Sequence, residues 1–144
     1  MNAVIAVGKV RVSELLSGEV FTRCEVVCAD ILTEISAQRS VVIAGEGAVL
    51  PRGAEAFAVV VDADADIDLS ALRGNSVITC GISGRNTISV TSKTSDSITL
   101  SLNRAIHTLH GLCEPMELPV PFCEGCTDFD HMAAFAAAVV FGKV

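Results

Sequence analysis

A single α/β domain with a mostly parallel sheet is the fold this sequence predicts, and three observations carry that reading. Short, largely apolar runs (Met1–Val7, Val41–Ala44 and Ala56–Val61) are separated by helical or turn signals, as in parallel strands covered on both faces. Beyond Gly84 the apolar period switches to two, the mark of half-buried antiparallel strands. The apolar fraction of 51% rests on Ala, Val, Ile and Leu with only 4% aromatic residues, which suits layered helix-on-sheet packing. A chain of 144 residues is one domain by default, large enough for a core that needs no disulfides.

Residues 1–84 supply the parallel half. The opening strand passes through Gly8 into Val12-Ser-Glu-Leu-Leu16, read as a short helix that stops near Gly18. From Cys24 to Ala37 the residues Val27, Ile31, Leu32 and Ile35 recur at helical spacing, with Asp30 and Glu34 on the polar side, so a second helix is expected there. Val41–Ala44 is a buried strand closed by Gly45-Glu-Gly47. Pro51-Arg-Gly53 marks a turn, and Ala56–Val61 is a further buried strand bounded by Asp62. Val77-Ile-Thr-Cys-Gly81 is one more short strand run.

Residues 85–122 read as a small three-stranded antiparallel ribbon. Thr87–Thr91 and Ser97–Leu102 alternate around the turn Lys93-Thr-Ser-Asp96. A two-residue turn at His110-Gly111 is expected to pair Leu109 with Leu112 and so to set His107 opposite Glu114. Pro115, Pro119 and Pro121 place the last strand at a sheet edge. Over 127–142 a closing helix comes next, capped by Thr127 or Asp128, running from about Phe129 to Phe141 and ended by Gly142. The expected plan is a mostly parallel sheet with flanking helices, then the ribbon, then the C-terminal helix.

Charge and hydropathy exclude several roles. A net charge of −7 with no local Lys/Arg cluster repels a phosphate backbone, so nucleic acid is not an expected partner. The longest apolar run, Met132–Gly142, is about half of the ~20 residues a membrane span needs, and the opening run is too short for an export core. A cytoplasmic location is the expectation, in which the six cysteines are reduced.

Taken together, Val77-Ile-Thr-Cys-Gly81, the alternating polar strands, Leu118-Pro-Val120 and the helix Asp130–Gly142 resemble the later part of the central, ATP-binding domain of the Mur ligases, the peptidoglycan-precursor amino-acid ligases. The resemblance covers roughly residues 59–142 and implies a shared α/β scaffold. It also implies a place for nucleotide phosphates after the first strand, where Gly8-Lys9 survives as a degenerate phosphate loop. The upstream glycine is missing, and Val10 stands where a hydroxyl would hold Mg²⁺. Cys126-Thr-Asp-Phe-Asp130 likewise replaces the polar His-Asn-x-x-Asn helix entrance of the family. What the resemblance implies is therefore a reduced relative that kept the scaffold and lost the catalysis.

Candidate site residues fall into two groups. At the carboxyl ends of the parallel strands, Gly8, Lys9, Gly45, Gly47, Asp62, Asp64, Gly81 and Ser83 would line a crevice of the kind in which open α/β sheets bind ligands. Asp62-Ala-Asp-Ala-Asp-Ile-Asp68 does not make a calcium loop, because Ile67 and Arg73 occupy the positions that demand glycine and a bidentate glutamate; weak Mg²⁺ binding stays open there. Cys123-Glu-Gly-Cys126, before the closing helix, could hold Zn²⁺ together with Cys24 and Cys28, or do redox work, or simply pack. His107, His110 and His131 are dispersed and read as surface or structural residues, and Ser83, Ser89, Ser92 and Ser95 lack a nucleophile elbow. No cofactor is expected beyond those two metal options.

The leading expectation is a non-catalytic Mur-ligase-like protein acting by binding or self-assembly. Its expected partner is a second copy, through the edge strand and the Ala-rich helix, or another protein, with a small ligand as a further option. The alternatives are a ligand-binding protein or enzyme using the strand-end crevice, and a cysteine-based metal or redox module.

Overall fold

The computed structural model describes residues 2–8, 10–12, 15–16, 24–29, 36–50, 55–65 and 76–142. In chain order the strands are β1 (Asn2–Val7), β2 (Cys24–Ala29), β3 (Ser36–Ala44), β4 (Glu55–Asp62), β5 (Ser76–Cys80), β6 (Ile88–Lys93), β7 (Ser97–Leu102), β8 (Ile106–Thr108), β9 (Gly111–Cys113) and β10 (Met116–Pro121), followed by the helix α1 (Asp128–Val140). Eight strands form one sheet in the order β10-β7-β6-β5-β4-β3-β1-β2, while β8 and β9 make a separate hairpin. Pairing is parallel from β2 through β6 and antiparallel from β6 through β7 to β10. The mostly parallel α/β class read from the sequence is the observed one, and the antiparallel strands continue the same sheet.

The helix expected over residues 24–37 is not formed. Cys24–Ala29 is instead the parallel edge strand β2, in register from Asn2↔Cys24 to Val7↔Ala29, and Ser36-Ala37 already belong to β3; residues 30–35 lie outside the described residues. A spacing of three and four residues is shared by a helix face and a short apolar run, and non-local pairing with β1 decides between them. Near the front of the chain, the amides of Leu15 and Leu16 both bond to the Val12 carbonyl, at 3.0 and 2.9 Å; the other residues of the short helix expected there lie outside the described residues. The turn read at Pro51-Arg-Gly53 lies outside the described residues.

Two apolar layers hold the sheet. On one face Val4, Ala6, Val41, Ile43, Ala58, Val60, Ile78, Cys80, Ile88, Ile98, Leu100 and Leu102 form the main core with α1. On the other, Val7, Val42, Ala44, Val59 and Val61 make a second buried cluster. Adjacent residues of β1, β3 and β4 therefore serve opposite cores, which is why Val41–Ala44 and Ala56–Val61 read as unbroken apolar runs, each buried Val or Ile contributing about 1.5–3 kcal/mol. Towards β6 and β7 the second face turns polar. The buried side chains there are Thr87, Ser89 and Ser101; Asn103 Nδ2 donates to Ser89 Oγ at 2.9 Å and to the Asn86 carbonyl at 3.0 Å, and Asn103 Oδ1 accepts from Ser101 Oγ at 2.8 Å. That change of face produces the alternation seen in the sequence.

The parallel and antiparallel parts meet through a single residue pair, Cys80↔Ile88. Because β6 runs in the direction of β5 but starts beside its last residue, Ser89–Lys93 extends past the end of β5.

Helix α1 begins and ends as read: Thr127 is its N-cap, and Phe141 and Gly142 bond back to Ala137 and Val139. It lies against β3, β4, β5, β6, β7 and β8. Eleven of its 13 residues are buried, so the Ala-rich face invoked for a homodimer is interior. The edge strand is closed too. Phe122 N–H continues the β10–β7 ladder to the Asp96 carbonyl, so even-numbered residues face β7 and the nitrogens of Glu117, Pro119 and Pro121 face outward. Two of those three carry no donor; the prolines place β10 at the edge as expected, but they also block strand addition there, against the expectation that this edge would pair with a second copy.

In the β8–β9 hairpin the register differs from the expected one. Thr108 pairs with Gly111 and His107 with Leu112, so the turn residues are Leu109-His110 and Glu114 is not opposite His107. The Thr108 hydroxyl fixes this by accepting from His110 N–H at 3.0 Å and donating to the Gly111 carbonyl at 2.7 Å. Leu109 N–H then docks the turn on the Val140 carbonyl at the end of α1, at 3.0 Å.

Candidate functional site

Parallel pairing of β1, β3, β4 and β5 brings their carboxyl ends to one rim of the sheet. Gly8, Gly45, Gly47, Asp62, Asp64, Gly81 and Ser83 all belong to that rim, as the sequence predicts; Lys9 lies outside the described residues. After β1 the backbone turns at Gly8, whose φ is +81°. A side chain there would stand 2.8 Å from both Ala48 N and Glu46 O, so the turn after β3 packs directly on the Gly8 backbone. The Gly45 amide donates to the Val7 carbonyl at 2.8 Å, Ala48 N–H closes the Gly45–Ala48 turn at 3.0 Å, and Val10 N–H bonds to the Gly8 carbonyl at 3.1 Å. Arg11 N–H is taken at 2.8 Å by Asp130 Oδ1.

Across β4 and β5 the rim is stitched by carboxylates. Asp62 Oδ1 accepts from Asp64 N–H at 2.9 Å, Asp64 Oδ2 accepts from Ile82 N–H at 3.3 Å, and Ala63 N–H bonds to the Cys80 carbonyl at 2.8 Å. Burial lifts the Asp62 carboxyl above its ordinary value, the neighbouring charges of Asp64 and Glu46 add to the rise, and the Asp64 amide bond opposes it. Burial likewise pushes the Cys80 thiol well up, with Asp62 adding to the effect. Ser83 Oγ accepts from Arg85 N–H at 3.2 Å, and Asn86 donates from its backbone and its side chain to the Ser83 carbonyl. The serine therefore serves its own loop. Rim apolar groups also face outward, with Val49 54% and Ile82 81% exposed.

The cysteines divide differently from the sequence reading. Cys24 and Cys28 sit on strand β2, where four residues span about 13 Å, whereas two thiolates on one Zn²⁺ each bind at ~2.3 Å. The helical proximity assumed for them does not exist. Among the described residues no three His, Cys, Asp or Glu side chains converge to hold a metal ion.

Cys123 and Cys126 close a turn before α1, with Cys126 N–H bonded to the Cys123 carbonyl at 3.2 Å. His131, read as a surface or structural histidine, pins this turn in a structural role, with Phe122 and Lys93 beside it. His131 is 2% exposed; its Nδ1 lies 2.8 Å from the Thr127 carbonyl, and its Nε2 accepts from Cys123 N–H at 3.0 Å. These contacts assign the neutral tautomer with the proton on Nδ1. Phe122 stacks on the imidazole with centroids 5.1 Å apart, and Lys93 crosses the Phe122 ring and pairs with Asp128 at 2.9 Å.

Asp130, also 2% exposed, completes a capping box: it accepts from Thr127 N–H at 2.8 Å while Thr127 Oγ1 accepts from Asp130 N–H at 3.0 Å. The sequence signal for it was Thr127-Asp-Phe-Asp130, a Thr followed at the third residue by a carboxylate and then an apolar run. Comparison with protein-family models, with curated proteins and with solved structures found no match.

Proposed function

We propose that this chain is a non-catalytic α/β protein on a Mur-ligase-like scaffold, acting by binding a partner at the strand-end rim. One observation carries the reading. A phosphate cradle after the first strand would need free backbone N–H groups, and those of Val10, Arg11, Gly45 and Ala48 are already bonded within the protein. Breaking several such bonds to admit an anion costs about 0.5–1.5 kcal/mol each, more for the bond to Asp130, and the carboxylates of Glu46, Asp62 and Asp64 oppose the anion's charge. The order of β5, the antiparallel strands, the Leu-Pro strand β10 and the Ala-rich helix supports the scaffold resemblance.

Binding of another molecule is favoured over self-assembly through the two surfaces the sequence suggested, since the helix face is interior and the proline-bearing β10 edge rejects a further strand. The rim offers exposed apolar side chains beside carboxylates, a surface suited to contact and without a positioned nucleophile and base among the described residues.

Two measurements test this. Titration calorimetry with MgATP and a phosphate-release assay should both be silent; micromolar binding or turnover overturns the non-catalytic reading. Sedimentation at micromolar concentration should give a monomer, and a stable dimer overturns the preference for a different partner.

A further inference from the structure

The loop between β10 and α1 carries two thiols in unequal settings. Glu124 and Gly125 are the central residues of the turn closed by Cys126 N–H on the Cys123 carbonyl, and Gly125 takes the left-handed conformation at φ +89°. A turn of this kind holds its first and last Cα atoms within about 7 Å, which overlaps the roughly 4.4–6.8 Å that a disulfide spans. Both cysteines are thiols in this structure. Cys123 is half-buried, whereas Cys126 is 8% exposed and directs its Sγ to the Arg11 carbonyl at 3.9 Å. Two residues further on begins the 13-residue helix α1.

We propose that Cys123 and Cys126 form a reversible dithiol–disulfide couple, with Cys123 the entry thiol and Cys126 the resolving thiol. The oxidant class is a small-molecule disulfide. The Cys123 thiolate attacks one sulfur of that disulfide, an S–S bond forms to Cys123, and the other half leaves as a thiolate that takes up a proton. Cys126, having lost its proton to solvent, then attacks Cys123 Sγ and expels the second half as a thiol. One protein disulfide has formed, two thiols have been released, and the small molecule has gained the two electrons.

The backbone needs little adjustment, because the turn is already closed and His131 Nε2 holds Cys123 N–H. What must move is both sulfurs: Cys123 Sγ away from the Glu124 carbonyl, at 3.8 Å, and Cys126 Sγ away from the Arg11 carbonyl. Arg11 also bonds through its guanidinium to the Gly125 carbonyl in the middle of the same turn, at 3.2 Å. Oxidation is thereby coupled to the segment just after Gly8, and so to the rim.

The test uses the intact protein in oxidised and reduced glutathione mixtures, with acid quenching, alkylation and mass spectrometry of the cysteine peptides. The expected product lacks two hydrogens across Cys123 and Cys126, reverts under excess reduced glutathione, and leaves Cys80 and Cys113 alkylatable after unfolding. The C126S variant should stop at a stable glutathione adduct on Cys123, and the C123S variant should leave Cys126 unmodified in the native state. The proposal is overturned if the pair stays reduced in buffers that oxidise a simple dithiol, if the wild type accumulates the Cys123 adduct, or if Cys126 reacts first. Should either variant fail to fold, the wild-type product decides.

Discussion

Replacing Asp130 by Ala should be among the most damaging single changes in this protein, and the size can be worked from the bonds its carboxylate holds. It accepts from Arg11 N–H and from Thr127 N–H, each at 2.8 Å, in a position that is 2% exposed. A hydrogen bond to a charged group is worth about 1.5–3 kcal/mol, and both of these bonds are partly shielded from solvent. Two such bonds, with some relief from local relaxation, give about 3–5 kcal/mol of lost stability. Thr127→Ala removes only the other arm of the capping box, at an exposed position, and should cost about 1 kcal/mol. Asp130→Asn keeps one acceptor but turns an amide N–H₂ towards the second donor, and should fall between the two. Urea unfolding monitored by far-UV circular dichroism measures all three. If Asp130→Ala costs no more than Thr127→Ala, the long-range bond to Arg11 contributes nothing and the reasoning fails.

Other outcomes are expected elsewhere. Gly8→Ala meets backbone atoms at 2.8 Å as well as a left-handed φ, whereas Gly47→Ala, at φ +79°, meets open space; unfolding should show the first to be worse by about 1–3 kcal/mol, and equal losses would refute the packing of Gly8 on the β3 turn. Asp62 has a folded-state proton affinity above its unfolded one, so its contribution is full below the usual value of 3.8 and is lost as pH rises through the folded value. Asp62→Asn should therefore match the wild type in acid and become the more stable of the two as pH rises; a gap of the opposite sign, or none, in urea titrations across that range would show that the carboxylate is not penalised. Restoring donors at the edge, with Pro119→Thr and Pro121→Thr together, should produce concentration-dependent association in size-exclusion chromatography, and an unchanged monomer would show that the prolines do not guard β10.

Local patterns revealed much of this architecture because the information they carry is local. Val41–Ala44 and Ala56–Val61 are apolar on both faces and become inner strands, the alternation of Ser97–Leu102 marks a face that turns polar, and Thr127 starts the closing helix with a cap. The rim residues came together for the same reason, since parallel strands put the turns at their carboxyl ends on one side. What escaped depends on distant partners. Cys24–Ala29 carries no strand signal strong enough to beat a helical spacing until β1 lies beside it, and the hairpin register rests on the hydroxyl of Thr108. Asp130 reaches Arg11 across 119 positions of sequence, a separation at which no spacing rule operates.

The lone pair Cys80↔Ile88 has a mechanical meaning. A sheet joined along a full ladder bends as one plate, but a sheet joined at one rung is two plates with a crease between them. The crease is crossed by Thr87 N–H on Thr79 Oγ1, at 3.0 Å, and by α1, which lies on β3, β4 and β5 on one side and β6 and β7 on the other. The helix is thus the splint of the crease. Its first turn, fastened by Asp130, neighbours the Cys123–Cys126 turn, so the splint is anchored at the end where those two cysteines lie.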